Sequence, residues 1–304
     1  MFRLCLALLP LACAGCVKSM AVHAVADALA GQGDVFARDD DPQLVREAIP
    51  FGLKTYESVL EAAPEHRGLL LATGSGFIQY AYAFVAQDAD AVDADDVRKA
   101  RQLRARAKKL FLRGRDYVLR ALELDHPGFA EGLRKDPEGT LARTTAPDAP
   151  ALYWAGTGWT AALMVEKGDL GLIADLPLGA SLVRRSAALD PSYNQGAAHE
   201  ILISYEGSRP EAMGGSAAKA REHYAKALEL SGGRRASVHL ALAESVAVRE
   251  QNLKEFKALL EKALAVDPNA DPSQRLVNLL SRERALRLKS RIPDLFLEAE
   301  EENP

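Results

Sequence analysis

Cysteine is almost missing from this chain of 304 residues. The three that occur, Cys5, Cys13 and Cys16, all lie in the first sixteen positions. Beyond them no disulfide and no cysteine metal site can form, so the body must hold together by packing alone. An excess of charge is also missing: the net charge is -4 and the pI about 5.9, with none of the basic bias of a nucleic-acid binder. Runs of β-branched residues are few and no segment alternates apolar with polar as a half-buried strand does. Glycine and proline, 22 and 15, are scattered and exclude collagenous or low-complexity classes. What remains is rich in Ala and Leu, and favours helix. The length suits one large helical solenoid or two ordinary domains.

The first sixteen residues read MFRLCLALLPLACAGC. Arg3 begins a short apolar run, Leu4 to Ala14, that is too short for a membrane-spanning helix of about 20 residues. It predicts a signal peptide over 1–15. Ala14-Gly15-Cys16 resembles a bacterial lipobox, which implies acylation, for instance by palmitate, at Cys16. Cys13 stands where that pattern usually has Leu and is the rival acceptor. Val17, not Asp, follows Cys16, which favours the outer over the inner membrane, with the body on the periplasmic face. Several acyl chains would hold it stably. No later segment is read as apolar enough to cross a bilayer.

The body reads as helix after helix. Residues 16–41 form an anchor segment and first helix, 42–292 a helical-repeat domain, and 293–304 an acidic tail with Glu298 to Glu302. Asp41-Pro42 is a helix start, with Asp as cap and Pro in the first turn. Val45, Ile49, Leu53, Tyr56 and Leu60 then mark one face, and Pro50 predicts a kink. The stretch 67–87 is apolar nearly all round, which predicts a helix that is fully buried or lines a cavity. Over 94–124 one face is apolar and the other carries Arg98, Lys99, Arg101, Arg104, Arg106, Lys108, Arg113 and Arg115. That basic face is either solvated or an anionic docking surface. Residues 135–147 read as a loop, and Asp148 as the cap of the next helix. Further helices are expected near 169–189, 194–206, 214–230, 235–249, 252–266 and 273–291.

Several helix ends repeat one another: VLEAAP at 59–64, ALELD at 121–125, AALDP at 187–191, ALELS at 227–231 and ALAVDP at 263–268. They resemble the close of the second helix of a tetratricopeptide repeat, where small Ala permits close approach and Asp-Pro stops the helix. Asp190, Ser231 and Asp267 are 41 and 36 residues apart, near the period of about 34. The fold class expected is therefore all-α, a tetratricopeptide-like solenoid of stacked helix pairs, in which no pair buries its apolar face alone. Such a stack offers a concave surface of the kind that binds partners.

Longer segments are more specific. LLATGSGFIQYAYAFV at 70–85, RGRDYVLRAL at 113–122, APALYWAGTGW at 149–159 and LIADLP at 172–177 resemble the TatT family of T components associated with TRAP transporters. GAAHEILI at 196–203, REHY at 221–224, LAESV at 242–246 and DPSQRLVNLL at 271–280 continue the match in order. The resemblance implies a periplasmic lipoprotein of tetratricopeptide-like helix pairs. It implies a TRAP solute-binding protein, the P component, as partner. It also implies a homo-oligomer such as a trimer, with a hydrophobic pore or cavity.

Candidate residues follow from the aromatic clusters. Tyr153, Trp154 and Trp159 share one helix with Gly156 and Gly158 between them, and Phe77, Tyr80 and Phe84 follow Gly74 and Gly76. A glycine inside a helix costs about 1 kcal/mol relative to Ala, so something must compensate: an open cavity wall or a close helix crossing. His199-Glu200 is the best polar pair, but neighbours on a helix point in different directions. A zinc-protease pattern would need a second His where Ile203 stands. Ser75 lacks the glycine of a hydrolase elbow at Thr73, and Gly156-Thr157-Gly158 lacks the strand and third glycine of a dinucleotide loop. No catalytic residue, metal or cofactor is expected. The reading is a transport accessory protein that docks a solute-binding protein and binds or relays a hydrophobic solute; the alternative is a lipoprotein scaffold in outer-membrane assembly.

Overall fold

The computed structural model describes residues 9–297 other than 32 and 167, with side chains from Met20 onward except at 32–34 and 167. Most of the leader predicted over 1–15, the Cys16 side chain and the stretch Glu298–Glu302 lie outside the described residues. Among those described there is no strand. The order is α1 Leu9–Ala30, α2 Gly33–Ala37, α3 Pro42–Ala62, α4 Arg67–Tyr80, α5 Gln87–Val92, α6 Val97–Asp125, α7 Phe129–Lys135 and α8 Pro137–Ala142. It continues with α9 Ala149–Val165, α10 Leu170–Leu189, α11 Ala197–Gly207, α12 Ala217–Ser231, α13 Ala236–Leu242, α14 Leu253–Ala265, α15 Arg275–Ser290 and α16 Ile292–Leu295.

The starts and stops follow local chemistry. Asp41 caps α3 by accepting hydrogen bonds from the amides of Gln43 and Leu44, both at 3.0 Å. The same Asp-Pro device at Asp136-Pro137 starts α8, so the stretch expected to be a loop holds a helix. Asp148 does not cap α9 through its side chain. It closes a capping box with Thr145 and receives His126, whose Nε2 lies 3.0 Å away. Helix α3 continues past Pro50 and α10 past Pro177. The repeat endings close helices as expected: α10 stops before Asp190, α12 at Ser231 and α14 before Val266.

Neighbours pack in pairs, α4 on α6, α6 on α9, α9 on α10, α11 on α12 and α13 on α14. One large core runs through α4, α6, α7 and α9, around Phe77, Phe84, Phe111, Phe129 and Trp159. A second lies in α11 to α15, around Val238, Leu242, Phe256 and Leu260, and is closed by Phe296 against Phe256 at 4.9 Å between ring centres. Helix α1 packs on α3 and α4 through Ala26. The stack is not open-ended: α15 returns to touch α2 and α3. There Arg275 donates to the carbonyl of Arg38 at 2.9 Å and Arg287 to Gln87 Oε1 at 2.6 Å. The solenoid thus curls into a closed ring.

Contrary to the sequence expectation, one further helix is long and apolar enough to cross a membrane by composition, the 26 residues Arg67–Val92. Its apolar surface is used otherwise here, in the first core and in the wall of the space that the ring encloses.

Candidate functional site

Inside the ring lies a cavity of about 1030 Å³, at the upper end of the range for small-molecule sites. Its wall is built from the inner faces of α3, α4, α9, α11, α13 and α15 and is mostly apolar. Two stretches of the wall are wound as π-helix, Ala81–Ala86 after α4 and Ala243–Ala247 after α13. The wider turn is visible in Val248 N–H, which reaches the carbonyl of Ala243 at 3.1 Å, five residues back. Such bulges re-aim side chains and recur at functional sites. Here they carry Tyr82 and Phe84 on one side and Glu244 on the other into the wall.

The candidate residues divide. Phe84, Tyr153 and Trp154 stand in the wall. Tyr153 meets Trp154 edge-on at 4.8 Å, and Trp154 Nε1 donates to the Tyr193 hydroxyl at 3.0 Å, so both rings are fixed. Burial pushes the Tyr153 phenol far above its ordinary pKa. Phe77, Tyr80, Trp159 and His199 are outside the wall. Phe77 stacks on Tyr117 at 6.1 Å under the Arg113 guanidinium. Tyr80 packs on Phe84 at 5.7 Å. Trp159 is 3% exposed between Arg115 and Arg134, at 4.7 and 5.5 Å. His199 turns to α12, where its Nδ1 lies 3.0 Å from Nδ1 of His223. Its neighbour Glu200 turns to the cavity.

The glycines between the aromatics are helix crossings for the most part. A Cβ on Gly74 would stand 2.6 Å from the carbonyl oxygen of Gly114, and one on Gly156 equally close to that of Gly179. Gly158 meets the Phe111 carbonyl at 3.0 Å. Only Gly76 of this group also faces the cavity, against Leu53.

Sequence reasoning missed the polar part of the wall. Arg235, 5% exposed, donates from Nε and Nη2 to Glu200 Oε2 at 3.2 and 2.9 Å, and from Nη1 to Gln274 at 2.8 Å. Arg284 donates from Nε and Nη2 to Glu244 Oε1 at 2.9 and 2.7 Å. Tyr82 is 46% exposed, yet burial raises its pKa, because the surface it exposes belongs to the enclosed space. No local pattern announces this group: its members come from different helices between residues 82 and 284.

On the outside, half of the eight basic residues on the face of α6 pair with the protein's own carboxylates. Arg104 meets Asp93 at 2.9 Å, Lys108 meets Asp169 at 3.4 Å, and Arg113 pairs with Glu57. Among the described residues no cluster of three or more His, Cys, Asp or Glu could hold a metal ion.

Paired helices curled into a ring round a mainly apolar cavity define a helical-repeat protein of the solenoid class. The sequence profile of the TRAP transporter T-component family matches residues 38–296, and the chain belongs to that family. An uncharacterized protein of Treponema pallidum (strain Nichols) is 33% identical over 307 residues, covering 95% of each chain. The chain is thus an accessory component of TRAP-type transport, associated with a transporter system at a bacterial membrane or in the periplasm. The family is one of transport components.

Proposed function

We propose that the protein is a lipoprotein, anchored through acylated Cys16 on the periplasmic side of the outer membrane, that docks a TRAP solute-binding protein and takes a hydrophobic solute into its cavity. The cavity of about 1030 Å³ carries this reading: a mainly apolar space of that size inside a transport component has a solute as its natural occupant. Phe84, Tyr153 and Trp154 are among its aromatic contacts. Tyr80 packs behind Phe84. Assembly as a homo-oligomer, such as a trimer, would set several cavities side by side.

Two measurements on the full chain test the two halves. Fluorescence titration with N-phenyl-1-naphthylamine, an uncharged apolar probe, is expected to show micromolar binding that Ala83→Phe, which fills the wall, abolishes. Co-purification with the TRAP solute-binding protein of the same organism is expected to give a stoichiometric complex. No probe binding would sink the cavity half. No complex at micromolar concentration would sink the docking half.

A further inference from the structure

The charged residues in the cavity wall are Arg209, Arg235, Arg284, Glu200 and Glu244. All nitrogens of Arg235 have acceptors, the last being Nη1 to the Asn194 carbonyl as well as Gln274. Those of Arg209 do too, in the carbonyls of Tyr205, Met213 and Gly214, while its plane lies 3.8 Å over the Tyr205 ring. Arg284 gives Nε and Nη2 to Glu244, and only its Nη1 has no acceptor among the described residues. Acceptor capacity is in surplus. Glu200 Oε1, Glu244 Oε2 and the Tyr82 hydroxyl have no hydrogen-bond partner among the described residues. Tyr82, Arg284, Glu200 and Glu244 line the same space.

A carboxylate head entering here would bring a third anion towards Glu200 and Glu244 and would find one free guanidinium nitrogen, Arg284 Nη1, to bind. An ammonium head donates but cannot accept, and would leave Arg284 Nη1 without an acceptor. A hydroxyl both donates and accepts. It can give its proton to a free carboxylate oxygen or to Tyr82 and accept from Arg284 Nη1. A head that cannot both donate and accept leaves one of those groups without a solute partner, which discriminates against it.

We infer that the solute is an uncharged amphiphile whose hydroxylated head is held by Tyr82, Glu244 and Arg284, with its chain along the apolar wall: a monoacylglycerol or long-chain alcohol in preference to a fatty acid. The inference rests on the cavity reading above and names the class of molecule it admits.

The test is displacement of N-phenyl-1-naphthylamine from the full chain at pH 7 by monolauroylglycerol and by laurate, which share one acyl chain. Monolauroylglycerol is expected to displace the probe at a concentration at least about tenfold lower, the worth of roughly one buried hydrogen bond. Tyr82→Phe is expected to weaken monolauroylglycerol several-fold, within about tenfold, once displacement is referred to the probe affinity measured for that variant. Equal or tighter binding of laurate overturns the head-group assignment, as does Tyr82→Phe with monolauroylglycerol unaffected. Failure of the wild type to bind the probe at all overturns the cavity reading instead, and this inference falls with it.

Discussion

Three histidines in the C-terminal half are placed to stay neutral. Burial lowers the pKa of His199 to about 4, with His223 and Lys226 adding to the effect, and that of His239 likewise to about 4. His223 is shifted in the same direction, again by burial first. Each has a neutral partner: His199 and His223 share one Nδ1–H between them, and the Tyr224 hydroxyl lies 2.8 Å from His239 Nδ1. In the unfolded chain these imidazoles take up protons near pH 6.5. Between about 6.5 and 4 the unfolded state therefore binds more protons than the folded one. Stability is full above pH 6.5 and falls as pH drops through that window. Urea denaturation midpoints are expected to decline from pH 6.5 to 4.5, and His199→Gln with His239→Gln to flatten the decline. A profile that is flat in the wild type would show that these histidines are protonated in the fold. Glu200 illustrates the neighbouring case. One position further round α11, it faces the cavity and anchors Arg235. Arg235→Ala would leave that carboxylate without its counter-charge in a buried site, and is expected to destabilise by about 3–5 kcal/mol in chemical denaturation.

At the scale of helices, close crossings and widened turns shape the wall. The α4–α6 crossing is glycine on glycine, Gly74 with Gly114, and the α9–α10 crossing is Gly156 with Gly179. Gly74→Ala would press a methyl into Val118 and the Gly114 carbonyl, at 2.5 and 2.6 Å, and is expected to cost about 1–3 kcal/mol. Gly52 has nothing within 4 Å of its missing Cβ and lies in mid-helix, so Gly52→Ala is expected to stabilise by roughly 0.5–1 kcal/mol. Thermal melts of the two variants should move in opposite directions. The glycines were visible in the sequence as a question with two answers, cavity or crossing. The answer depends on which helix lies opposite, and Gly114 and Gly179 stand 40 and 23 residues from their partners.

For the whole molecule, closure is what converts a concave groove into an enclosed cavity. The contacts that close it, Arg275 to Arg38 and Arg287 to Gln87, join residues 237 and 200 apart. In an open repeat array each unit depends only on its neighbours, and unfolding can begin at either end. A ring lacks free ends, so the two cores are expected to unfold together. Far-ultraviolet circular dichroism, which reports all helices, and tryptophan fluorescence, which reports the N-terminal core through Trp154 and Trp159, should give coincident denaturation curves. In the double variant Arg275→Ala, Arg287→Ala the curves are expected to separate. Coincidence in that variant would show that apolar contacts of α15, such as Leu276 and Leu280, hold the ring without the polar seam.

The all-α class, the helix-pair stack, most helix boundaries and the family itself were determined by the amino-acid sequence alone. Those properties are local: a cap such as Asp41, an Ala-Leu-Asp-Pro ending, or an apolar face at three- and four-residue spacing acts within one or two turns. The aromatic half of the cavity was legible too, because Tyr153 and Trp154 are adjacent on one helix. Only the tertiary structure decided that the stack closes, that Phe77, Tyr80 and Trp159 belong to the core, and that Tyr82 and the ion pairs Arg235–Glu200 and Arg284–Glu244 line one cavity. The physical reason is that a solenoid's curvature accumulates from small rotations between successive pairs. No single residue encodes the sum, and what faces the interior is known only when the last helix returns to the first.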